Sequence, residues 1–501
     1  MSLKKNVIAN YFGQGWQALM GVVFMPLYIK YLGMEAYGLI AIFAMLQVWL
    51  VLLDMGMKPA LAREMARFTG GAHNAESIRD LLRSIELIGI AVAGAIVLGI
   101  WAASGWLASH WVTAKHLPVI VVAHAFAMMG LVTALRFLQD IYVSCCVGLQ
   151  RQVQQNMVAG ITAAVRGLGA VALLAWVSPT IEAFFLWQGL ISVITIVLFV
   201  GIVYRALPSA PGPARFSAPA LKNVWRFAAG IVAITLLALL FSQVDKILLS
   251  RQLTLESFGY YALAGVVANS LTMLTGPITT AFYPRFTELH TNRDEASLRI
   301  LYHQGAQMVT ILTGSAAVVL MMFGESVLRL WTRDPALSHH VAPLMTILVL
   351  STLFNSVLCI PYQLQLAHGW TSLTVKVNII AVIIMVPAIL WVVPIYGAVG
   401  AAWMLATTNA GCLLLEIPLM HRRLLPGDQW RWYGRDVIAP LAAATTVAFL
   451  CRWTMPHDIG KIGEFAVLLT SSVCVLTASV AAAPLVRHQI IRHFGWSRPA
   501  F

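Results

Sequence analysis

Charged side chains in the middle of long apolar segments are the residues of this chain that most need an explanation. Arg136 and Arg166 each lie near the centre of an apolar segment, on either side of the polar stretch 150–156, and Asp140 follows Arg136 by one helical turn. A charge at the centre of a membrane-spanning helix costs roughly 2.5–3.5 kcal/mol on insertion scales, so it persists where it faces a protein interior or a water-filled cavity. The two arginines therefore predict an enclosed, hydrated site that attracts anions.

The charges embedded in the first half of the chain have a positive excess. Lys58, Arg136 and Arg166 outnumber the two carboxylates in the same segments, Asp54 and Asp140. Guanidinium groups bind phosphate and carboxylate groups through paired hydrogen bonds. The sequence therefore predicts a cationic cavity that binds an anionic substrate. Its candidate substrate-binding residues are Arg136, Arg166, Lys58 and, at the cytoplasmic mouth, Arg63.

The embedded carboxylates have two interpretations, and the sequence leaves both open. Asp54 precedes Lys58 by four residues, and Asp140 follows an arginine by four, so each carboxylate shares a helical face with a cation. A structural ion pair explains either arrangement as well as a role in coupling to an ion gradient does. The adjacent Asp245 and Lys246 share this ambiguity.

The remaining polar residues of the apolar segments are expected to be structural. Lys376 and Glu416 should extend to the membrane interface, and His124 and His303 should be packed or hydrogen-bonded rather than metal ligands. No CxxC, HExxH or Walker pattern occurs. We therefore expect neither an enzyme nor a metal or organic cofactor.

Composition excludes a soluble protein. The 501 residues are 59% hydrophobic and 11% charged, with a mean hydropathy of +0.80. The net charge of +13 comes without a basic run or a basic aromatic patch, so nucleic acid is not an expected partner. The six cysteines all lie in apolar stretches and read as buried thiols rather than disulfide partners.

Fourteen segments are long and apolar enough to span a bilayer, which requires about 20 residues each. The cytoplasmic side is identified by its Lys and Arg residues, 21 on one side against 8 on the other, which places both termini in the cytoplasm. The first segment follows Lys4 and Lys5 and lacks a cleavage site, so we expect a retained helix rather than a signal peptide. The predicted spans are 7–30, 37–62, 82–107, 118–149, 154–177, 181–204, 222–249, 257–284, 302–323, 342–367, 373–393, 397–420, 435–453 and 463–486.

An internal repeat relates the two halves of the chain. Glu35-Ala36-Tyr37-Gly38 after the first span matches Glu256-Ser257-Phe258-Gly259 after the seventh, an offset of about 221 residues or six spans. Six is an even number, so both copies have the same orientation in the membrane. Parallel repeats predict two halves related by an axis along the membrane normal, with a site between them.

Short motifs stand out in three places. They are Asn10, Gly13, Pro26, Leu32-Gly33, Tyr37-Gly38, Leu53-Asp54-Met55-Gly56-Met57 and Ala62-Arg63-Glu64 in the first 67 residues; Gly148-Leu149-Gln150-Arg151 after the fourth span; and Gln243, Asp245-Lys246, Gly259-Tyr260-Tyr261 and Tyr283-Pro284-Arg285 around the seventh and eighth. This set resembles polysaccharide and O-antigen flippases of the multidrug/oligosaccharidyl-lipid/polysaccharide (MOP) exporter superfamily, and the fourteen-span layout extends the resemblance over the whole chain.

The resemblance implies an all-α polytopic membrane fold. Two six-helix lobes form a V around a central cavity, and two further helices follow them. Mapped onto this chain, the N-lobe is 1–205, the C-lobe 206–425, and helices thirteen and fourteen with a cytoplasmic tail occupy 426–501.

The resemblance also implies a function. The cargo would be an undecaprenyl-diphosphate-linked oligosaccharide, moved by alternating access from the cytoplasmic to the periplasmic leaflet of the bacterial inner membrane during O-antigen or lipopolysaccharide biosynthesis. Coupling to a proton or sodium gradient, and contact with a glycan polymerase and glycosyltransferases, are further hypotheses. A lipid II flippase and a drug or metabolite antiporter of the same superfamily are alternatives. A glycan polymerase or ligase fits less well, because every non-cytoplasmic loop has about twenty residues or fewer.

Overall fold

A computed structural model describes residues 3–53, 56–71, 73–208, 212–218, 236, 239, 243–455 and 460–493. Asp54, a candidate coupling residue, lies outside the described residues. Within these ranges the regular structure is helical, apart from one isolated β-bridge between Thr113 and Thr254. The prediction of an all-α fold is confirmed.

The chain divides into two compact units, Met1–Gly259 and Tyr260–Phe501. The predicted lobe boundaries at 205 and 425, and the V-shaped arrangement, stay predictions. The described helices that belong wholly to the N-terminal unit are α1 (Leu3–Val23), α2 (Met25–Leu53), α3 (Met57–Thr69), α4 (Ala75–Trp106, extended by a π-helical turn at Leu107–Trp111), α5 (Val119–Gly148), α6 (Gln152–Trp176) and α7 (Ile181–Ala206). Residues 243–252 are also helical.

Helix α8 (Leu255–Ser270) crosses the boundary between the units. The helices that follow it are α9 (Thr272–Thr291), α10 (Glu295–Val309), α11 (Ser315–Thr332), α12 (Pro335–Val357), α13 (Cys359–Ala367), α14 (Ser372–Leu424), α15 (Gln429–Arg431), α16 (Ala439–Trp453), α17 (Lys461–Ala481) and α18 (Pro484–His493). Two π-helical segments, Thr310–Gly314 and Trp432–Ile438, join α10 to α11 and α15 to α16.

Eleven helical stretches among the described residues are long and apolar enough to cross a membrane. One of them, Ser372–Leu424, has 53 residues and covers the predicted eleventh and twelfth spans. The predicted first span falls on α1 and the start of α2, and the predicted seventh falls largely outside the described residues. The merged pair lowers the count by one, and the first and seventh spans lower it by two more, which accounts for the difference from fourteen.

Two glycines break helices that would otherwise be continuous. Gly33 in α2 has φ 82° and ψ 168°, and Gly397 in α14 has φ 58° and ψ −144°. This part of backbone space is essentially restricted to glycine, because a Cβ atom would collide with the backbone there. Each break separates two predicted spans, so the sequence places glycine where consecutive membrane helices meet.

Helix α5, which carries Arg136, is central to the N-terminal unit. It packs against α3, α4 and α7, and α6 packs against α1 and α7. Fully buried apolar side chains such as Leu61, Ile85 and Phe199 fill the contact between these helices. The central arginine is therefore carried by a helix that is fixed on several sides.

The two copies of the repeated motif contact each other reciprocally. A Cβ atom on Gly38 would lie 2.2 Å from the carbonyl oxygen of Leu255, and one on Gly259 would lie 2.8 Å from that of Met34. In each case, the partner is the residue just before the other copy's glutamate. Such reciprocity is expected of two copies related by a two-fold axis, and it explains why both copies need glycine.

Replacing Gly397 with alanine should destabilise the protein by about 1–3 kcal/mol, because alanine cannot adopt this backbone conformation without strain. A thermal unfolding experiment in detergent should show a lower Tm. The matched control is Gly201→Ala in α7, where a Cβ atom would meet nothing within 4 Å and helix propensity favours alanine. Equal Tm values for the two variants would contradict the assigned break.

Candidate functional site

A cavity of about 360 Å³ lies inside the N-terminal unit, and both candidate arginines line it. Helices α1, α2, α5, α6 and α7 contribute its walls. The lining residues are Gln17, Met20, Gly21, Phe24, Tyr28, Ile40, Phe43, Ala44, Arg136, Gln139, Ala159, Thr162, Ala163, Arg166, Gly167, Phe184 and Gln188.

The Arg136 guanidinium is held by an amide and an aromatic ring. Its Nη2 donates to Oε1 of Gln188 on α7 at 3.2 Å, and its Cζ lies 4.9 Å from the centre of the Phe43 ring. A ring face stabilises a cation without neutralising it. The buried Nε atom has no hydrogen-bond partner, so this side chain keeps donor capacity.

The Arg166 guanidinium is similarly under-satisfied. Its Nη2 lies 3.5 Å from Oγ of Ser192, and its buried Nε has no hydrogen-bond partner. The Arg166 backbone is fixed instead, because its carbonyl oxygen accepts a hydrogen bond from Trp187 Nε1 at 3.2 Å. Oε1 of Gln139, which also lines the cavity, is a third buried polar atom without a partner.

No aspartate or glutamate lines this cavity, and no described carboxylate lies within ion-pair distance of either guanidinium. Asp140, one turn from Arg136, instead binds Lys58 on α3, with Oδ2 and Nζ 2.9 Å apart. Lys58 is therefore compensated, and it is not among the lining residues. The cavity combines two cations with amide and hydroxyl groups.

Arg63 is exposed on α3 and does not line the cavity either. The neighbouring Glu64 is buried and forms ion pairs with Arg67 at 3.0 Å and His73 at 2.7 Å. Burial alone would raise the pKa of Glu64, but the hydrogen bonds from His73 and Arg67 lower it. This carboxylate therefore belongs to a local network at the end of α3.

The predicted residues outside the first six spans do not join this cavity. Asp245 is buried, and Nζ of Lys246 lies 3.2 Å from Oε1 of Gln243 on the same helix. The expectation that Glu416 reaches the membrane interface is wrong. Its side chain is buried and accepts hydrogen bonds of 2.6 Å from Gln365 and Thr374.

Sequence reasoning missed several lining residues. Gln17, Gln139 and Thr162 are polar residues on predicted spans, and Gln139 follows Arg136 by three residues on the same side of α5. That spacing was a usable signal. Tyr28 carries no such signal, because aromatic residues are common at both membrane interfaces.

Helices α1 and α6 also border a second concavity, of about 610 Å³, which we call the α1–α6 groove. Its lining residues are Phe12, Gly13, Trp16, Val153, Asn156, Met157, Gly160, Ile161, Ala164, Val165 and Leu168. Asn156 is the one strongly polar side chain among them, and its Nδ2 donates to Asn10 at 2.6 Å. The groove therefore presents a largely apolar surface.

The Asn10–Asn156 contact explains two residues of the motif set. A Cβ atom on Gly13 would lie 2.3 Å from Oδ1 of Asn156, so glycine is required where this side chain crosses to α1. The contact fixes α1 against α6, and these helices contribute to both the cationic cavity and the groove.

The groups that line the cavity can bind an anion. Guanidinium groups with free donors bind phosphate strongly in a region of low dielectric constant. Its lining holds no cysteine, serine or histidine and no carboxylate, so it offers neither a usual nucleophile–base pair nor a metal site. Among the described residues as a whole, no group of three or more His, Cys, Asp or Glu side chains is arranged to hold a metal ion.

Solved structures identify the fold class of the chain. The fold matches the lipid II flippase MurJ in an inward closed conformation, with a TM-score of 0.72 and 13% identity over 95% of this chain and 98% of that one. It also matches an inward-facing multidrug resistance transporter of the MATE family, within the MOP superfamily, with a TM-score of 0.64 and 11% identity over 81% and 94% of the two chains. The chain therefore has the fold of the MOP transporters.

Sequence comparison identifies the family within that class. The chain belongs to the polysaccharide biosynthesis protein family, whose model matches residues 3–290, and the MatE model matches residues 230–391. Two relatives bear the name "Putative O-antigen transporter". One, from Shigella flexneri, is 19% identical over 80% of this chain and 94% of its own length; the other, from Escherichia coli K12, is 28% identical over 33% and 39%.

These matches confirm the predicted family and the prediction of a multi-pass membrane transporter rather than an enzyme.

Cysteine substituted for Arg136 or Arg166, with the native cysteines replaced by alanine, should react with a small water-soluble thiol reagent, because both positions face the cavity. The matched control is Ala170→Cys, one turn after Arg166 and fully buried, which should be protected. The reaction can be followed by mass spectrometry. Protection of both arginine positions would place them in a dry contact between helices.

Proposed function

We propose that this protein flips an undecaprenyl-diphosphate-linked oligosaccharide from the cytoplasmic to the periplasmic leaflet by alternating access. The observation that carries the proposal is the pair Arg136 and Arg166, which face one cavity with no lining carboxylate. The membership of a polysaccharide biosynthesis family and the relatives' name support the glycan part of the cargo.

A diphosphate requires such a cavity in order to cross the bilayer. Removing an ion from water costs several kcal/mol even after the protein relaxes, unless opposite charges and hydrogen-bond donors replace the lost water. The two guanidinium groups supply charge, and Gln17, Gln139 and Gln188 supply amides for phosphate or sugar hydroxyl groups. Neutralising the diphosphate is the step at which the protein lowers the barrier.

The isoprenoid tail needs no passage through the cationic cavity. The α1–α6 groove is apolar, and α1 and α6 border the cavity as well. A cargo with its head group at Arg166 could therefore rest its first isoprenoid units against Ala164 and Leu168, on the adjoining face of α6. Transfer of apolar groups between bilayer and groove costs little, because both surroundings are apolar.

Two other members of the superfamily are rival functions. An antiporter of organic cations would need an acidic cavity, and the lining of this cavity has the opposite sign. A lipid II flippase shares the diphosphate and is the second candidate, favoured by the likeness in fold to MurJ. The family model over residues 3–290 favours the polysaccharide cargo.

The proposal includes an orientation and a setting. The excess of Lys and Arg on one side favours both termini in the cytoplasm, and the bacterial relatives support a bacterial inner membrane as the setting. The glycosyltransferases that complete the repeat unit would act before it, and a glycan polymerase after it. Flipping in this direction makes the lipid-linked unit available on the periplasmic side.

Arg136→Ala and Arg166→Ala should each reduce glycan flipping at least tenfold, because a lost hydrogen bond to a charged group is worth about 1.5–3 kcal/mol. Arg166→Lys should retain partial activity, since lysine keeps the positive charge but lacks the paired N–H donors of the guanidinium group. The measurement is complementation of a strain lacking its glycan flippase, with lipid-linked repeat units quantified in each leaflet.

The inactive variants should accumulate the lipid-linked unit in the cytoplasmic leaflet. Arg205→Ala, at the exposed end of α7, is the matched control and should complement fully. Full complementation by both Arg136→Ala and Arg166→Ala, at wild-type protein levels, would remove the cationic cavity from the mechanism.

Ala164→Phe should fill the α1–α6 groove and slow flipping several-fold, because the added ring occupies the surface proposed for the tail. Val197→Phe on α7 is the control, since Val197 is 63% exposed and lines neither the groove nor the cavity. Flipping in proteoliposomes should be less impaired with a cargo whose isoprenoid chain is shortened. An equal effect of the two phenylalanines would contradict a role for the groove.

A further inference from the structure

The C-terminal unit contains a buried cluster of one histidine and two aspartates that the cationic cavity does not explain. His303 lies on α10, Asp436 on the π-helical segment Trp432–Ile438, and Asp428 in the turn that precedes α15. His303 and Asp436 have no exposed surface, and Asp428 is 8% exposed. Ionisable side chains inside a membrane protein are costly and usually functional.

Both ring nitrogens of His303 face carboxylates. Nδ1 is hydrogen-bonded to Oδ2 of Asp436, and Nε2 lies 3.6 Å from Oδ2 of Asp428. The other Asp436 oxygen accepts a hydrogen bond of 2.8 Å from Gln307. His303 Nε2 and Asp428 Oδ2 are buried without a hydrogen-bond partner.

This geometry fits an imidazolium ring. A neutral imidazole has one N–H group and one lone pair, so it can donate to only one of two carboxylates. A protonated ring donates at both ends, and only a small approach of Asp428 would complete the second bond. The site is therefore built to take up one proton on His303 Nε2, which then points at Asp428.

His421, a second buried histidine in the same unit, shows the contrast. Its Nδ1 lies 2.9 Å from the carbonyl oxygen of Ile417, and its Nε2 lies 3.2 Å from the hydroxyl of Tyr302. One nitrogen can donate to the carbonyl and the other can accept from the hydroxyl. A neutral ring satisfies both contacts, so His421 needs no extra proton.

The charges around His303 also favour the protonated form of its ring. Without the added proton, the one described cation that opposes the two buried carboxylates is the partly exposed Arg299, whose Nε is 3.5 Å from Asp428 Oδ2. On the elements packed around His303, the other titratable groups that face the cluster are Tyr302, His421 and Tyr433. The charged side chains of the neighbouring segments 284–295, 422–435 and 484–489 are otherwise exposed. Binding of a proton brings the charge of the cluster closer to zero.

The cluster is linked to the last helices of the chain. Oε1 of Gln307, whose amide nitrogen holds Asp436, accepts hydrogen bonds from the backbone N–H groups of Leu485 at 3.0 Å and Val486 at 3.4 Å, at the start of α18. Asp436 itself lies on a π-helical segment, a deviation that frequently marks functional sites. A change in protonation can therefore be transmitted to the segments that carry α16 and α18.

We propose that His303, Asp436 and Asp428 form a proton-binding site in the C-terminal unit, and that uptake and release of this proton drive the transport cycle. The second half of this statement rests on the function proposed above. The site is distinct from Asp54 and Asp140, the coupling residues suggested by the sequence. Asp140 is held by Lys58.

Protonation of His303 is tested first, in the absence of cargo. Solid-state ¹⁵N NMR of histidine-labelled protein in liposomes, with the His303 signal assigned from His303→Gln, follows the ring through a pH titration. The ring of His303 should take up its second proton within this titration. Asp436→Asn should lower the midpoint relative to the wild type, because a neighbouring carboxylate stabilises the charged ring. Asp428→Asn, in the turn, should also lower the midpoint of the His303 titration. It replaces Asp436→Asn in the experiment if that variant does not fold.

His421→Gln is the matched control and should leave the His303 titration unchanged. A neutral His303 ring throughout the range from acid to neutral pH would overturn the proton site. A midpoint that is unaffected in both aspartate variants would do the same.

Coupling is tested in proteoliposomes with a labelled polyprenyl-diphosphate oligosaccharide. Wild-type protein and His421→Gln should flip it severalfold faster when a pH gradient is imposed, whereas Asp436→Asn should flip it at one rate with or without the gradient. Equal flipping rates of the wild type with and without the pH gradient would overturn the proposed coupling. No flipping by the wild type in any condition would contradict the proposed function and leave the NMR result standing.

Discussion

Arg136 and Arg166 carry positive charge into an apolar helical bundle, and the arrangement of the N-terminal unit follows from that charge. The guanidinium groups cannot face lipid, so they point into a cavity enclosed by α1, α2, α5, α6 and α7. An aromatic face, an amide and a hydroxyl group hold them without cancelling their charge. The nearby carboxylate of Asp140 is occupied by Lys58. The cavity therefore keeps an excess of positive charge, which a phosphate-bearing cargo would neutralise.

The second unit presents the opposite balance. Around His303 the buried groups are carboxylates, and the small number of facing cations leaves room for a proton rather than for an anion. On the functions proposed above, the cationic cavity in one unit would hold the cargo, and the acidic cluster in the other would hold a proton. Such a separation would allow the two ligands to act on one transport cycle without competing for the same charges.

Local features of the sequence predicted much of this structure. The spacing of apolar residues gave the spans, and the described helices correspond to them, with Gly33 and Gly397 at two of the joins. The position of Arg136 and Arg166 at the centres of spans predicted that both would face an enclosed space. Contacts between side chains on different helices were harder to predict from the sequence. Asp140 shares a helical face with Arg136 yet bonds to Lys58, and Glu416 is buried against Gln365 instead of reaching the interface.

The sequence by itself determined that this chain spans a membrane many times, and that its first half holds more embedded cations than carboxylates. Both conclusions depend on composition and on helical periodicity, which act over a few residues. The tertiary structure decided which charges remain uncompensated. Lys58 meets Asp140 across 82 residues of chain, and His303 meets Asp436 across 133. Such pairs depend on which faces of distant helices pack together, and helix packing is set by the shape of whole helical surfaces rather than by any local pattern.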